Sequence, residues 1–125
     1  MEGIKSYLFY GTLRTGMSNY QHFKEDLVSI GMVTLRGFKL FSKKDYPYAI
    51  ISDSRSDTII AEKMKVRSIT AQRAIYRLEM EAGYYYDELL IDSQKFGIFL
   101  YSQRNRNDPQ IIDGDWVNYI TNTNF

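Results

Sequence analysis

Residues 10–19, YGTLRTGMSN, join an alternating apolar run, IKSYLFY, to a segment with helical spacing, NYQHFKEDLVSIG. A glycine-containing loop between a strand and a helix gathers backbone N–H groups that can meet an anion. Gly11 and Gly16 stand at the spacing of a phosphate-binding loop, but Met17 and Ser18 follow where that motif requires Lys and then Ser or Thr. Losing the lysine removes the charge that reaches the outer phosphates of a nucleoside triphosphate. The loop still suits a smaller anion such as a carboxylate. The other reading is a plain tight turn in which Gly11 supplies an unusual backbone conformation.

Few other residues offer chemistry. His22 is the only histidine and there is no cysteine, so the usual zinc ligand sets are missing. A Ser-His-Asp triad would have to use His22, and no G-x-S-x-G elbow is present. Arg104, Arg106, Lys43 and Lys44 read as solvated loop charges. Carboxylates remain. Glu79 follows Leu78 and lies four residues after Ile75, at the edge of an apolar stripe, where it either points into a cavity that raises its pKa or sits exposed at a helix end. Glu81, two residues on, falls on nearly the opposite side.

The elements that must position these groups follow from periodicity. Residues 4–10 alternate with large apolar groups on both faces, as a central strand does. Tyr20, Phe23, Leu27 and Ile30 follow helical spacing, which predicts a helix from Asn19 to about Ile30 with Gly31 as its stop. MVTLRGFKLFS, YPYAIIS and TIIAEKMKV read as strands. In SITAQRAIYRLEMEAG, Ser68 is the expected N-cap, Ala71, Ile75 and Leu78 form the apolar stripe, and Gly83 sits just past the end. YYYDELLI and FGIFLYS form a hairpin across DSQK, and Asp115 is placed to cap a short final helix. The order predicts an α+β fold with a mixed or antiparallel sheet, without the βαβ repetition of nucleotide-binding folds.

Composition sets further bounds. At 125 residues the chain is expected to form one domain over 1–125, with no repeat or linker to divide it. Sixteen basic against 15 acidic residues give a net charge of +1, so no overall field recruits nucleic acid or an anionic membrane. The N-terminal apolar stretch is too short for a signal peptide, and no run reaches the ~20 apolar residues of a membrane span. A soluble, cytoplasmic protein is expected.

The pieces YLFYGTLRTGMSN, YP, IYRLEMEAGYYYDELL, FLYSQ and GDWVNY, in this order from about residue 6 to 119, together resemble the gamma-glutamylcyclotransferase-like family, including its gamma-glutamylamine cyclotransferase branch. The most specific element is Tyr-Gly-Thr-Leu at residues 10–13. The resemblance implies a small mixed β-barrel with flanking helices and a cavity beside this loop that holds a glutamyl-like group. It places substrate-binding groups at Tyr10, Gly11, Thr12, Leu13, Asn19, Tyr46 and Tyr85. The family's acid/base is a Glu in a Leu-Asp-x-x-Glu pattern about six residues before a Tyr, which falls on Glu79 and Tyr85.

The implied reaction needs little machinery. A γ-glutamyl compound carries its own nucleophile, the α-amine, so the protein need only take a proton from the ammonium, fold the chain and stabilise the oxyanion. The acid so formed protonates the leaving amine and 5-oxoproline is released, with no metal, cofactor or protein nucleophile. Departures from the family pattern are Tyr76 where Asp is common, Asp87 where Arg is common, and Ala61, Glu62, Lys63 and Met64 in place of Gly-Glu-Val-Tyr. The alternative function is a non-catalytic module that uses the same cavity to sense a small carboxylate. The expected partner is a small γ-glutamyl molecule, with neither nucleic acid nor membrane.

Overall fold

The computed structural model describes residues 3–123; the outermost residues of the domain read over 1–125 lie outside the described residues. The elements run β1 (Lys5–Phe9), α1 (Tyr20–Phe23), β2 (Leu27–Arg36), β3 (Phe38–Ser42), β4 (Pro47–Ile51), β5 (Thr58–Val66), α2 (Ile69–Glu81), β6 (Tyr85–Ile91), β7 (Gln94–Leu100), β8 (Gln110–Ile111) and α3 (Trp116–Thr123). This is a mixed α+β fold.

The strands form two sheets, one of five strands in the order β2-β5-β1-β7-β6 and one of three, β4-β3-β8. Among the described residues only the β1–β7 pair is parallel; the other ladders are antiparallel. The sheets are joined where β7 ends, because the Tyr101 N–H donates to the Ala49 carbonyl of β4 at 2.9 Å. β1 is central and buried on both faces, as its alternation predicts. Leu8 and Tyr10 enter the core between the sheets, while Tyr7 and Phe9 enter a second core that includes Ala71 and Ile75 of α2. Helix α2 starts as read, with the Ser68 hydroxyl accepting the Ala71 N–H at 3.0 Å, and Gly83 beyond its end has φ +99°. The β6–β7 hairpin also forms, on a tighter turn than DSQK: Asp92 and Ser93 alone turn the chain, both at positive φ, as a two-residue hairpin of this hand requires.

Two expectations are corrected. The helix expected over 19–30 stops at Phe23, and Leu27 opens a ten-residue strand paired along β5. Backbone pairing outweighs the helical spacing: Ile30 and Val28 are exposed, so the four spaced apolar residues never form one buried stripe. Gly31, with φ +114°, sits in a β-bulge where the register slips between Ser29 and Met32 rather than ending a helix. MVTLRGFKLFS is two strands, because Gly37 at φ +86° turns the chain from one sheet into the other. Among the described residues, no helix is long and apolar enough to cross a membrane.

Gly114 shows the tightest backbone approach. Its φ is +68°, its carbonyl accepts the Ile60 N–H at 2.9 Å, and a Cβ there would lie 2.1 Å from the Thr58 carbonyl oxygen. Gly114→Ala is therefore expected to cost about 3 kcal/mol or more of stability. Gly16→Ala, at φ +85° but facing open space, should cost only about 1–2 kcal/mol. Thermal or urea unfolding of the two variants measures the difference.

Candidate active site

The loop after β1 is built from the strand end outward. Tyr10 is buried, and its hydroxyl donates to the Phe99 carbonyl of β7 at 2.5 Å while accepting the Ala49 N–H of β4 at 3.1 Å. Gly11 is required for space and not for an unusual φ, since a Cβ there would lie 2.7 Å from Cγ of Pro47. A turn follows in which the Arg14 N–H donates to the Gly11 carbonyl at 3.0 Å. The Thr12 carbonyl accepts the N–H groups of Asn19 and Tyr20, and Asn19 Nδ2 donates to the Thr12 hydroxyl at 2.8 Å, so the loop closes on itself.

Two part-buried contacts, one an ion pair and one a carboxylate on a threonine, hold this loop to the body. Arg14 is 7% exposed and bonds Asp115 at 2.7 Å. Asp115 also accepts the Asn118 N–H at 3.2 Å as the cap of α3, which is the expected role. Burial pushes the Asp115 carboxyl up, but Arg14 and the helix amides more than offset this and hold it below its usual range. On the opposite side Glu62 of β5 accepts both the N–H and the hydroxyl of Thr15. With Trp116 buried in the inter-sheet core, the GDW stretch is accounted for by packing, charge pairing and capping.

Within this frame the N–H groups of Gly11, Thr12 and Leu13 donate to no acceptor among the described residues, whereas those of Arg14, Thr15, Met17, Asn19 and Tyr20 do. Residues Gly11, Thr12 and Leu13 line a narrow recess of about 20 Å³ with Tyr10, Pro47, Glu79 and Tyr84. The recess leads into a cleft of about 300 Å³ lined by Thr12, Ser18, Asn19, Asp45, Tyr46, Glu79 and Tyr84. Across Thr12, Ser18 and Asp45 lies a wider cleft of about 690 Å³, walled by Met17, Lys44, Trp116, Tyr119 and Ile120. Glu79 thus stands where recess and cleft meet.

Glu79 arrives there from the last turn of α2. Its backbone carbonyl accepts the N–H groups of Ala82 and Tyr84, both at 3.1 Å, which closes the helix and swings the following tyrosines back over it. No described residue donates a hydrogen bond or an ion pair to its carboxylate. Burial without compensation raises its pKa to about 7. Glu81 is exposed and borders a separate surface groove with His22 and Arg77.

Of the residues expected to bind substrate, the fold brings Tyr10, Gly11, Thr12, Leu13, Asn19 and Tyr46 around Glu79. Tyr85 is placed elsewhere, packed against the inter-sheet core, and it is Tyr84 that lines both recess and cleft. The Tyr84 hydroxyl gives its proton to the Pro47 carbonyl, which leaves its oxygen as an acceptor. Three consecutive tyrosines share one composition signal, so only the turn after α2 decides which faces the cavity. Tyr76 is half-exposed with its ring edge on Phe99, Asp87 accepts the Glu88 N–H, and Ala61 fills the inter-sheet core. None of these three lines the recess or the cleft. Among the described residues no three His, Asp or Glu side chains come together to hold a metal ion.

A family model described as "Gamma-glutamyl cyclotransferase, AIG2-like" matches residues 7–118. Among solved structures, an uncharacterised protein of Pyrococcus horikoshii is 21% identical with a TM-score of 0.79, covering 96% of each chain. The protein YtfP of Escherichia coli is 19% identical with a TM-score of 0.71, over 91% of this chain and 97% of that one. An AIG2-like protein of Mus musculus is 14% identical with a TM-score of 0.68, over 91% and 90%. At these identities the structures show a shared fold. No curated protein sequence matches.

The uncompensated carboxyl carries a stability cost that depends on pH. A folded pKa of about 7 against 4.5 for the free side chain means the folded state holds the proton more tightly, so stability falls as pH rises through that window. Glu79→Gln removes the titration. It is expected to be more stable than the parent by on the order of 2–3 kcal/mol above pH 8, with the advantage vanishing below about pH 4.5. Urea unfolding across the pH range measures this.

Proposed function

The chain belongs to the AIG2-like gamma-glutamyl cyclotransferase family, which makes its function one of cyclotransferase type, and we propose that it converts a γ-glutamyl amide to 5-oxoproline and a free amine. The observation that carries this reading is an unpaired carboxyl with a pKa of about 7 in the same cavity as three free backbone N–H groups. The amide row receives the substrate α-carboxylate. The α-ammonium lies between the ionised Glu79 carboxylate and the Tyr84 oxygen, both acceptors on that side. The amine half leaves across Thr12, Ser18 and Asp45 toward the wider cleft.

Glu79 takes one proton from the ammonium, and the freed amine attacks the γ-carbonyl carbon to close a five-membered ring. The tetrahedral adduct then expels the original amide nitrogen, which takes its proton from the Glu79 carboxyl; the regenerated carboxylate accepts the second proton of the ring nitrogen and passes it to the departing amine, which leaves as an ammonium, so Glu79 ends ionised as it began. One C–N bond forms and one breaks. A pKa near 7 serves both halves, because the same side chain must accept and return a proton at neutral pH. Holding nucleophile and carbonyl in one short cleft supplies the remaining advantage, that of an intramolecular attack already oriented.

Glu79→Gln keeps the shape and loses the proton shuttle, so 5-oxoproline release from γ-glutamyl amides, γ-glutamyl amino acids or γ-glutamyl-lysine isopeptides should fall by about two to four orders of magnitude. Ligand binding should persist, and Glu81→Gln should match the parent. The parent's kcat/KM should rise as pH increases through about 7, where Glu79 becomes ionised, and this limb should be missing from the Gln variant. A panel in which one compound binds and none yields 5-oxoproline would overturn the enzyme and leave a carboxylate sensor in its place. Equal losses in the Glu79 and Glu81 variants would refute the assignment of the acid/base.

A further inference from the structure

Glu62 is a buried charge that the reaction above leaves unused. It is 5% exposed in β5, where it sits opposite Phe9 of β1 and Met32 of β2. Successive strand residues point to opposite faces. Ala61 fills the inter-sheet core, so Glu62 points the other way and is covered by the loop after β1. One carboxylate oxygen accepts the Thr15 N–H at 2.8 Å and the other accepts the Thr15 hydroxyl at 2.6 Å. Burial pushes this carboxyl up, yet hydrogen bonds from Ser29 and Thr15 and the nearby Arg14 charge outweigh it and hold it below the usual range. Ser29 stands at the edge of the β2 bulge, beside the register slip that brings Met32 opposite Glu62.

We propose that Glu62 is a positioning residue for the amide row of Gly11, Thr12 and Leu13, an inference that rests on the reading of the recess as the glutamyl site. Gly11 to Arg14 form a turn closed by the Arg14 N–H on the Gly11 carbonyl, and its inner N–H groups stay free. Such a turn can roll about its own axis unless its exit is held. Thr15 is that exit, and Glu62 holds it through both of its polar groups, a charge-assisted pair of bonds at two fixed points. Arg14 on Asp115 holds the other side. With Thr15 released the three N–H groups lose their fixed placement, and a bound carboxylate loses donors without any change in Glu79.

The test uses the full chain as Glu62→Ala, Glu62→Gln and Thr15→Val, with four readouts: kcat and KM on a γ-glutamyl amide, 5-oxoproline affinity by NMR titration, amide hydrogen exchange at Asn19 and Tyr20, and the thermal midpoint. Glu62→Ala should raise KM and the 5-oxoproline Kd by about tenfold with kcat changed less than about threefold, the pattern of lost ground-state binding. Exchange at Asn19 and Tyr20, whose N–H groups close the loop on Thr12, should accelerate by about tenfold. Glu62→Gln, which keeps an acceptor for the Thr15 N–H, should recover part of each, and Thr15→Val should shift all three in the same direction by less. A lower thermal midpoint with KM, Kd and exchange unchanged would make Glu62 merely structural and overturn the proposal, as would a loss of kcat at constant KM. If Glu62→Ala does not fold, Thr15→Val decides by the same criteria. Should the parent release no 5-oxoproline, faster exchange in the variants would overturn the reaction and leave the clamp standing.

Discussion

The Tyr10 hydroxyl must satisfy two strands at once, and the rest of the site depends on that constraint. It donates to β7 and accepts from β4, which belong to different sheets. A buried hydroxyl with both partners met is worth more than its bonds alone, since removing it strands a buried backbone N–H and a carbonyl together. The same contact fixes where β1 ends, and therefore where the following loop begins. Gly11 then has one place to go, against the ring of Pro47, at a distance no Cβ permits.

From that starting point the loop is held by bonds to elements far apart in sequence. Glu62 comes from β5 and Asp115 from the cap of α3, 47 and 101 residues from their partners. Each clamp buries charge, and neither is economical as pure stability, because desolvation offsets much of the attraction. Their value lies in geometry. A chain segment with three unpaired N–H groups would otherwise satisfy them by rearranging, and fixed ends on both sides prevent this. The loop is thus held in place at the expense of backbone groups left without partners.

Glu79 follows the opposite logic from Glu62. Both are glutamates with restricted solvent access, but Glu62 has donors and a cation and stays ionised, while Glu79 has neither and is poised near neutrality. Two carboxyls in one fold are driven in opposite directions by the company they keep. The tyrosines around Glu79 sharpen the effect. Tyr84 and Tyr101 spend their protons on the Pro47 and Ala82 carbonyls, so the cavity is walled by aromatic surface without a donor aimed at the carboxylate.

Local pattern was enough for β1, whose alternation marks two buried faces, for α2 with its Ser68 cap and Gly83 stop, and for the hairpin of β6 and β7. Each is specified by residues within a few positions of one another. The family's Tyr-Gly-Thr-Leu was legible for the same reason. What the sequence could not decide depended on partners distant along the chain. Leu27 to Ser29 kept helical spacing but were paired with β5, because a ten-residue strand outweighs a short helix with no buried face. Gly11 carried no sign of Pro47, nor Thr15 of Glu62, and the choice of Tyr84 over Tyr85 required the turn that ends α2. Glu79 had two readings on the sequence, exposed or buried; tertiary packing decided between them, because burial is what raises its pKa and the residues that bury it come from elements far apart along the chain.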